Sequence, residues 1–159
     1  MNNKFSIIIP AYNEANFIAD CLDSILAVDY PREKIEIIVI DNGSTDRTRD
    51  IVKSCNVKLL RDDNLTVSGL RNLGVEHASG DILAFVDADC IVTVSWLKFA
   101  SVYCNQANVA AWGAPPEIPE RATWVQQTWF IIRQKEYDIQ EVDWLESMNF
   151  FVRKKDFNY

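Results

Sequence analysis

Residues 81–90 read DILAFVDADC. From Ile82 to Val86 the run is apolar without interruption, and Asp87 and Asp89 follow at once. A strand covered on both faces, as in a parallel sheet, reads as a continuous apolar run, whereas a half-solvated strand alternates. Acids at the carboxyl end of such a strand stand where open α/β sheets hold their ligands. The pair is therefore either a solvated strand exit or a cation site, and the neighbouring sequence has to decide.

Similar runs recur on both sides. KFSIIIP (4–10), with Pro10 as its stop, KIEIIVI (34–40), VKLLR (57–61), NVAAWGA (108–114) and SMNFFVRK (147–154) read as further strands. Between them, residues 14–28 have Phe17, Cys21, Ile25 and Val28 at spacings of three and four, one face of a helix. A second helix opens near residue 45 with Thr45 or Ser44 as cap, a third spans 66–78 and ends at Ser79-Gly80, and a fourth spans 95–106 with Ser95 as cap. Strand and helix alternating at this rhythm imply crossover units and a mostly parallel sheet. The expected fold is a three-layer, Rossmann-like α/β sandwich with helices on both faces of the sheet. PPEIPE (115–120) must be irregular. An aromatic helix candidate follows at 122–137, with Trp124, Trp129, Phe130 and Ile131.

Composition narrows the function classes. In 159 residues, 48% are hydrophobic and 25% charged, which suits a globular domain with a real core. The net charge of −7 and the lack of a basic stripe argue against a nucleic-acid partner. No apolar run approaches the ~20 residues of a membrane span, and Met1 leads almost directly into a strand, so a cytoplasmic chain without a secretory leader is expected. Cys21, Cys55, Cys90 and Cys104 are widely spaced and His77 is the sole histidine. That set predicts reduced thiols and no zinc site. His77 reads as a helix-end residue rather than a catalytic one.

The loops after the strands carry the chemistry. PAYNE (10–14), DNGSTD (41–46) and DAD (87–89) each follow a strand, and SGLRNLG (68–74) places Arg71 on a helix. Singly they are ordinary: Asn-Gly-Ser is a common turn, and one arginine is most often a surface charge. In a parallel sheet, however, the three strand exits lie along one edge. Asp87 and Asp89 are hard oxygen donors suited to Mg2+ or Mn2+, which also take phosphate oxygens. Asp41 and Asn42 suit a base or ribose, Arg71 a base carbonyl or phosphate, and Tyr12 offers a ring face to a base. These residues fit a nucleoside diphosphate with a cation. The Gly-x-Gly-x-x-Gly of dinucleotide binders, the Walker loop, and the Gly-rich basic loop of nucleotidyltransferases are all missing after the first strand.

FSIIIPAYNEANFIADCLDSIL, IEIIVIDNGSTDRT and LRNLGVEHASGDILAFVDAD, in this order and spacing, resemble family 2 glycosyltransferases, which have the GT-A fold. The resemblance covers about the first 114 residues well. It implies that Pro10, Ala11, Tyr12 and Glu14 line a nucleotide pocket. It also implies that Asp41, Asn42 and Arg71 contact the nucleotide, with Asp87 and Ala88 in the same pocket. Asp89, with Asp87, would hold Mn2+ or Mg2+. The implied reaction moves a sugar from a UDP-, dTDP- or GDP-sugar to a glycan or lipid-linked acceptor, with inversion. On this reading residues 1–114 form the nucleotide-sugar-binding domain and 115–159 begin an acceptor-side region.

Two departures from the family pattern stand out. Asn42 replaces an aspartate, which opens the choice of base. The general base is expected beyond Tyr159, because Asp143 and Glu146 sit in no matching motif; the chain so reads as an amino-terminal portion of a longer enzyme. The alternative is a non-catalytic nucleotide-sugar-binding remnant, in which the chain could also form a homo-oligomer. The aromatic helix raises peripheral contact with the inner face of a membrane, with packing on the sheet or on further polypeptide as the favoured reading.

Overall fold

A computed structural model describes residues 3–118, 122–133, 141–142 and 145–157. The strands are β1 (Phe5–Ala11), β2 (Ile35–Asp41), β3 (Lys58–Arg61), β4 (Ile82–Val86), β5 (Ala111–Gly113) and β6 (Asn149–Arg153). The helices are α1 (Ile18–Leu26), α2 (Thr48–Ser54), α3 (Val67–Glu76), α4 (Trp96–Ala100) and α5 (Trp124–Arg133). The strands form one sheet in the order β3-β2-β1-β4-β6-β5. β1 runs parallel to β2 and β4, and β2 to β3, while β6 is antiparallel to both its neighbours.

Alternation along the strands builds the layers. Phe5, Ile7 and Ile9 of β1, with Ile35, Ile37 and Val39 of β2, face one core with α1, α2 and α4. Ile8, Ile38 and Ile40 face the other core with Leu70 and Val75 of α3. Successive strand residues point to opposite faces, so the runs must be apolar throughout. The topology also marks a crevice. From β1 the chain winds outward to β2 and β3, then returns to place β4 on the other side of β1. In open α/β sheets ligands usually lie at such a reversal, here the carboxyl ends of β1 and β4.

Several boundaries differ from the sequence reading. Pro10 does not stop β1: it lies inside the strand opposite Ile40. β4 pairs with β1 only as far as Ile8, so one side of β1 is open there, where a strand tolerates proline. α1 begins at Ile18, and Phe17 is 53% exposed rather than part of its buried face. Neither Ser44 nor Thr45 caps α2; the Asp46 carboxylate accepts from the Thr48 amide at 2.9 Å. Ser95 makes no side-chain cap bond to α4, which is α-helical only to Ala100. Beyond it, Val102 and Tyr103 bond three residues back instead of four, and the Ser101 hydroxyl takes the Lys98 carbonyl at 2.7 Å, a competitor for the helical ladder.

The carboxyl-terminal part adds two findings. The last strand, β6, lies between β4 and β5. Its Phe151 packs on Trp96 and Trp112, with ring centroids at 5.1 and 5.8 Å. This side of the sheet is thereby filled, and the Trp124, Val125 and Ile131 side chains of α5 are exposed instead of packed on it. Residues 134–137 of the expected aromatic helix, and Asp143, lie outside the described residues. Among the described residues no helix is long and apolar enough to cross a membrane.

Candidate functional site

The carboxyl edge at β1, β2 and β4 gathers the residues singled out in the sequence. Ala11 pairs with Asp41 at the ends of β1 and β2, and the Asn42 amide donates to the Ala11 carbonyl at 2.9 Å. Tyr12, the next residue, projects with 57% of its surface exposed. Pro10, Ala11 and Ala88 are buried, so they form the floor beneath the exposed groups. Arg71, on α3, reaches across to β4: its Nη2 donates to Asp87 Oδ1 at 2.7 Å. Asp87 is half-buried and Asp89 exposed. Residues distant in sequence thus meet at one rim, which is what the functional reading requires.

Asp41 has a second task. Its carboxylate is fully buried and accepts from the Gly43 and Ser44 amides at 3.2 Å, with the Arg49 Nε 3.7 Å away. A buried carboxylate needs such partners, and here they shape the loop that carries Asn42. Two polar atoms at the rim have no hydrogen-bond partner among the described residues: Asn42 Oδ1, an acceptor, and Arg71 Nε, a donor. An unpaired buried group costs roughly 1–3 kcal/mol, so a ligand offering one donor and one acceptor at these atoms is favoured.

The edge is electrostatically negative. Burial, then Asp89, Asp46 and Asp87 in order, raise the Glu14 carboxyl above its ordinary value of 4.5. Burial, then Asp89 and Asp87, push the Cys90 thiol up to about 12. Burial, then Cys90 and the two aspartates, do the same to Cys21. Both cysteines bond the same carbonyl, that of Asp87: Cys21 through Sγ at 3.7 Å, Cys90 through its amide at 3.1 Å. All four cysteines are free. His77 caps the carboxyl end of α3, exposed, with Nδ1 3.0 Å from the Leu73 carbonyl, far from the rim in role and consistent with its reading as a helix-end residue.

Among the described residues no cluster of three or more His, Cys, Asp or Glu side chains could hold a metal by itself. Asp87 and Asp89 would supply carboxylate oxygens only, leaving positions for phosphate and water. Mg2+ and Mn2+ bound with nucleotides take this kind of incomplete protein shell, so the residues present fit such an ion. Glu146 is half-buried in the turn that enters β6 at this same edge of the sheet. The sequence reading missed Asn13, Ser44, Asp46 and Thr48, whose side chains bind the first two loops together. Asn13 has a left-handed backbone, at φ 56, a conformation that Asn tolerates better than most residues.

Known proteins are similar to this chain in sequence and in fold. Glycosyltransferase AglE of Haloferax volcanii is 42% identical over 99 residues, covering 58% of this chain and 33% of that protein. The poly(ribitol-phosphate) beta-N-acetylglucosaminyltransferase TarS of Staphylococcus aureus is 34% identical over 113 residues, 65% of this chain and 19% of TarS. The chain thus spans a third or less of the length of these relatives. Among solved structures, the mannosyltransferase PcManGT of Pyrobaculum calidifontis, in complex with GDP-Man and Mn2+, superposes with a TM-score of 0.68 at 29% identity. That match covers 74% of this chain and 36% of PcManGT. S. aureus TarS 1–349 in complex with UDP-GlcNAc gives a TM-score of 0.64 at 27% identity, over 72% and 38% of the two chains. The sheet is of the GT-A type these structures share, and the family model for glycosyl transferase family 2 matches residues 6–155, nearly the whole sequence; the chain belongs to that family.

Proposed function

We propose that this chain is the donor-binding part of a glycosyltransferase that takes its sugar from a nucleoside-diphosphate sugar, with inversion, and passes it to a glycan or lipid-linked acceptor. The observation that carries the reading is the rim itself. An exposed ring (Tyr12), an unpartnered acceptor (Asn42 Oδ1) and two carboxylates (Asp87 and Asp89) follow three adjacent parallel strands, and α3 brings an unpartnered donor (Arg71 Nε) to the same rim. The base stacks on Tyr12, and its N–H meets Asn42; uracil, thymine and guanine all offer one. Arg71 is anchored through Nη2 to Asp87, which leaves Nε for an oxygen of the nucleotide.

Asp89 and Asp87 are the residues that would hold Mn2+ or Mg2+ when the donor is bound. A bound divalent ion supplies neutralisation of the charge that develops on the leaving nucleotide. Arg71 keeps Asp87 oriented toward the rim, and Asp41 keeps the Asn42 loop in shape. Support for the donor class comes from relatives that bind GDP-Man with Mn2+ and UDP-GlcNAc, together with a rim that has the polar groups such a ligand needs.

The test is a melting-temperature series with UDP, dTDP and GDP, each with and without Mn2+. A ligand at 100 times its Kd stabilises by about 2.7 kcal/mol, so at least one nucleotide should raise the melting temperature by several degrees, more with Mn2+. Asp89→Ala should lose the Mn2+-dependent increment and keep the unliganded melting temperature. An increment that survives intact in Asp89→Ala would exclude Asp89 as the ion's ligand.

A further inference from the structure

The loop between β1 and α1 is tied to the loop between β2 and α2 by side chains that the donor reading does not use. The Asn13 amide donates to Ser44 Oγ at 2.9 Å, and the Asn13 Oδ1 accepts from the Thr45 amide at 2.8 Å. One residue later, the Glu14 amide donates to Thr48 Oγ1 at 2.8 Å, and then the Ala15 amide to Asp46 Oδ2 at 3.0 Å. Ser44 is buried and is itself held by the Asp41 carboxylate. Asn13 therefore makes a two-point contact with an anchored partner.

The consequence falls on Tyr12. On one side Ala11 is locked in the sheet against Asp41. On the other Asn13 is locked to Ser44 and Thr45. The exposed Tyr12 is the single residue between two fixed points, beside Asn42, whose amide is bonded to Ala11. Asn13 also has φ 56, a conformation that costs most L-residues about 1–2 kcal/mol and that Asn tolerates. Few side chains could turn the chain here and accept from Thr45 as well.

We propose that Asn13 is a positioning residue for the nucleobase half of the donor site: it holds the Tyr12 ring and the Asn42 amide at a set separation, so that a base enters a site ordered beforehand. The inference rests on the donor reading above. It differs from a purely structural role because it predicts loss on the base and none on the diphosphate, whose partners Asp87, Asp89 and Arg71 sit on β4's exit and α3.

The test uses Asn13→Gly in the full chain, since glycine keeps the left-handed backbone without strain and removes only the acceptor. Affinities for UDP, dTDP, GDP and inorganic pyrophosphate, each with Mn2+, are measured by calorimetry well below the melting temperature. The expected result is a roughly tenfold weaker affinity for whichever nucleoside diphosphate the unaltered protein binds, the scale of one net hydrogen bond, with pyrophosphate affinity within about twofold. Tyr12→Ala should cost less in the Asn13→Gly background than alone, the signature of coupled residues. Unchanged nucleotide affinity, or an equal loss of pyrophosphate, overturns the inference. Failure of the unaltered protein to bind any of the three nucleotides overturns the donor reading itself, a separate outcome visible before any variant is made.

Discussion

At the residue scale, the same amino acid can look like one device in sequence and act as another in space. Ser79-Gly80 reads as a helix stop, yet α3 ends at Glu76 and Gly80 lies beyond it. A Cβ on Gly80 would stand 2.7 Å from both the Lys4 carbonyl oxygen and the Ser6 amide nitrogen, backbone atoms of the chain entering β1. Backbone in a sheet cannot yield. Gly80→Ala should therefore cost about 1–3 kcal/mol, measured as a lower urea midpoint with an unchanged slope. The candidate site residues divide similarly. Tyr12, Arg71, Asp87 and Asp89 were legible because each is an unusual side chain at a strand exit or on an apolar helix. Asn13 and Ser44 were not, since turns are rich in both and their partners lie 31 residues apart.

At the element scale, α3 decides where Arg71 stands. Its Gly74 faces the sheet, where an added Cβ would be 2.6 Å from Ile8 Cγ2 and 2.9 Å from Ile40 Cδ1. Two effects oppose each other in Gly74→Ala. Helix propensity favours alanine by about 1 kcal/mol, while overpacking costs about 1–3 kcal/mol. Ile8 is stiff at χ1 and fully buried, so overpacking wins. We expect a melting temperature lower by a few degrees and, as α3 lifts and Arg71 draws away from Asp87, weaker nucleotide binding. A variant as stable as the original would show that α3 is free to shift on the sheet. The other end of α3 is secured by lysines: Lys58 donates to the His77 carbonyl at 3.1 Å, and Lys154 to that of Ala78 at 2.5 Å, cations where the helix dipole favours them. Helix existence was legible from spacing. Helix ends were not, because the first amide of α2 is taken by Asp46, ahead of the cap position, and α4 is cut short by local hydrogen bonds of Ser101.

At the scale of the whole molecule, two glutamates at opposite edges of the sheet are shifted in opposite directions. At the amino edge Glu36 is matched. Burial pushes the Glu36 carboxyl up, but the Ser6 hydroxyl, the Ser79 amide and Lys4 outweigh it and hold it below its ordinary 4.5. At the carboxyl edge Glu14 is raised, by burial and by other acids. The signs follow. A lowered native pKa gives stability above the ordinary value that is lost as pH falls through the native one. A raised one withdraws stability at neutral pH and returns it on acidification. Glu36→Gln should thus be less stable than the original protein at pH 7, and Glu14→Gln more stable. The Glu14 difference should close as pH falls below the ordinary value of about 4.5, whereas the Glu36 difference should fade only as pH falls on through its lowered native value, read from urea midpoints across a pH series. A Glu14→Gln protein destabilised at pH 7 would show that the rim acids do not burden the unliganded fold. By itself the sequence determined the class of fold and the edge on which its candidate site lies, because burial on both faces demands unbroken apolar runs and a parallel sheet sends their exits one way. Only the tertiary structure decided that β6 enters between β4 and β5, that Arg71 meets Asp87, and that Asn13 clasps Ser44. These are contacts between segments distant in the chain, selected by packing and by the need to pair buried polar groups, and no local pattern encodes them.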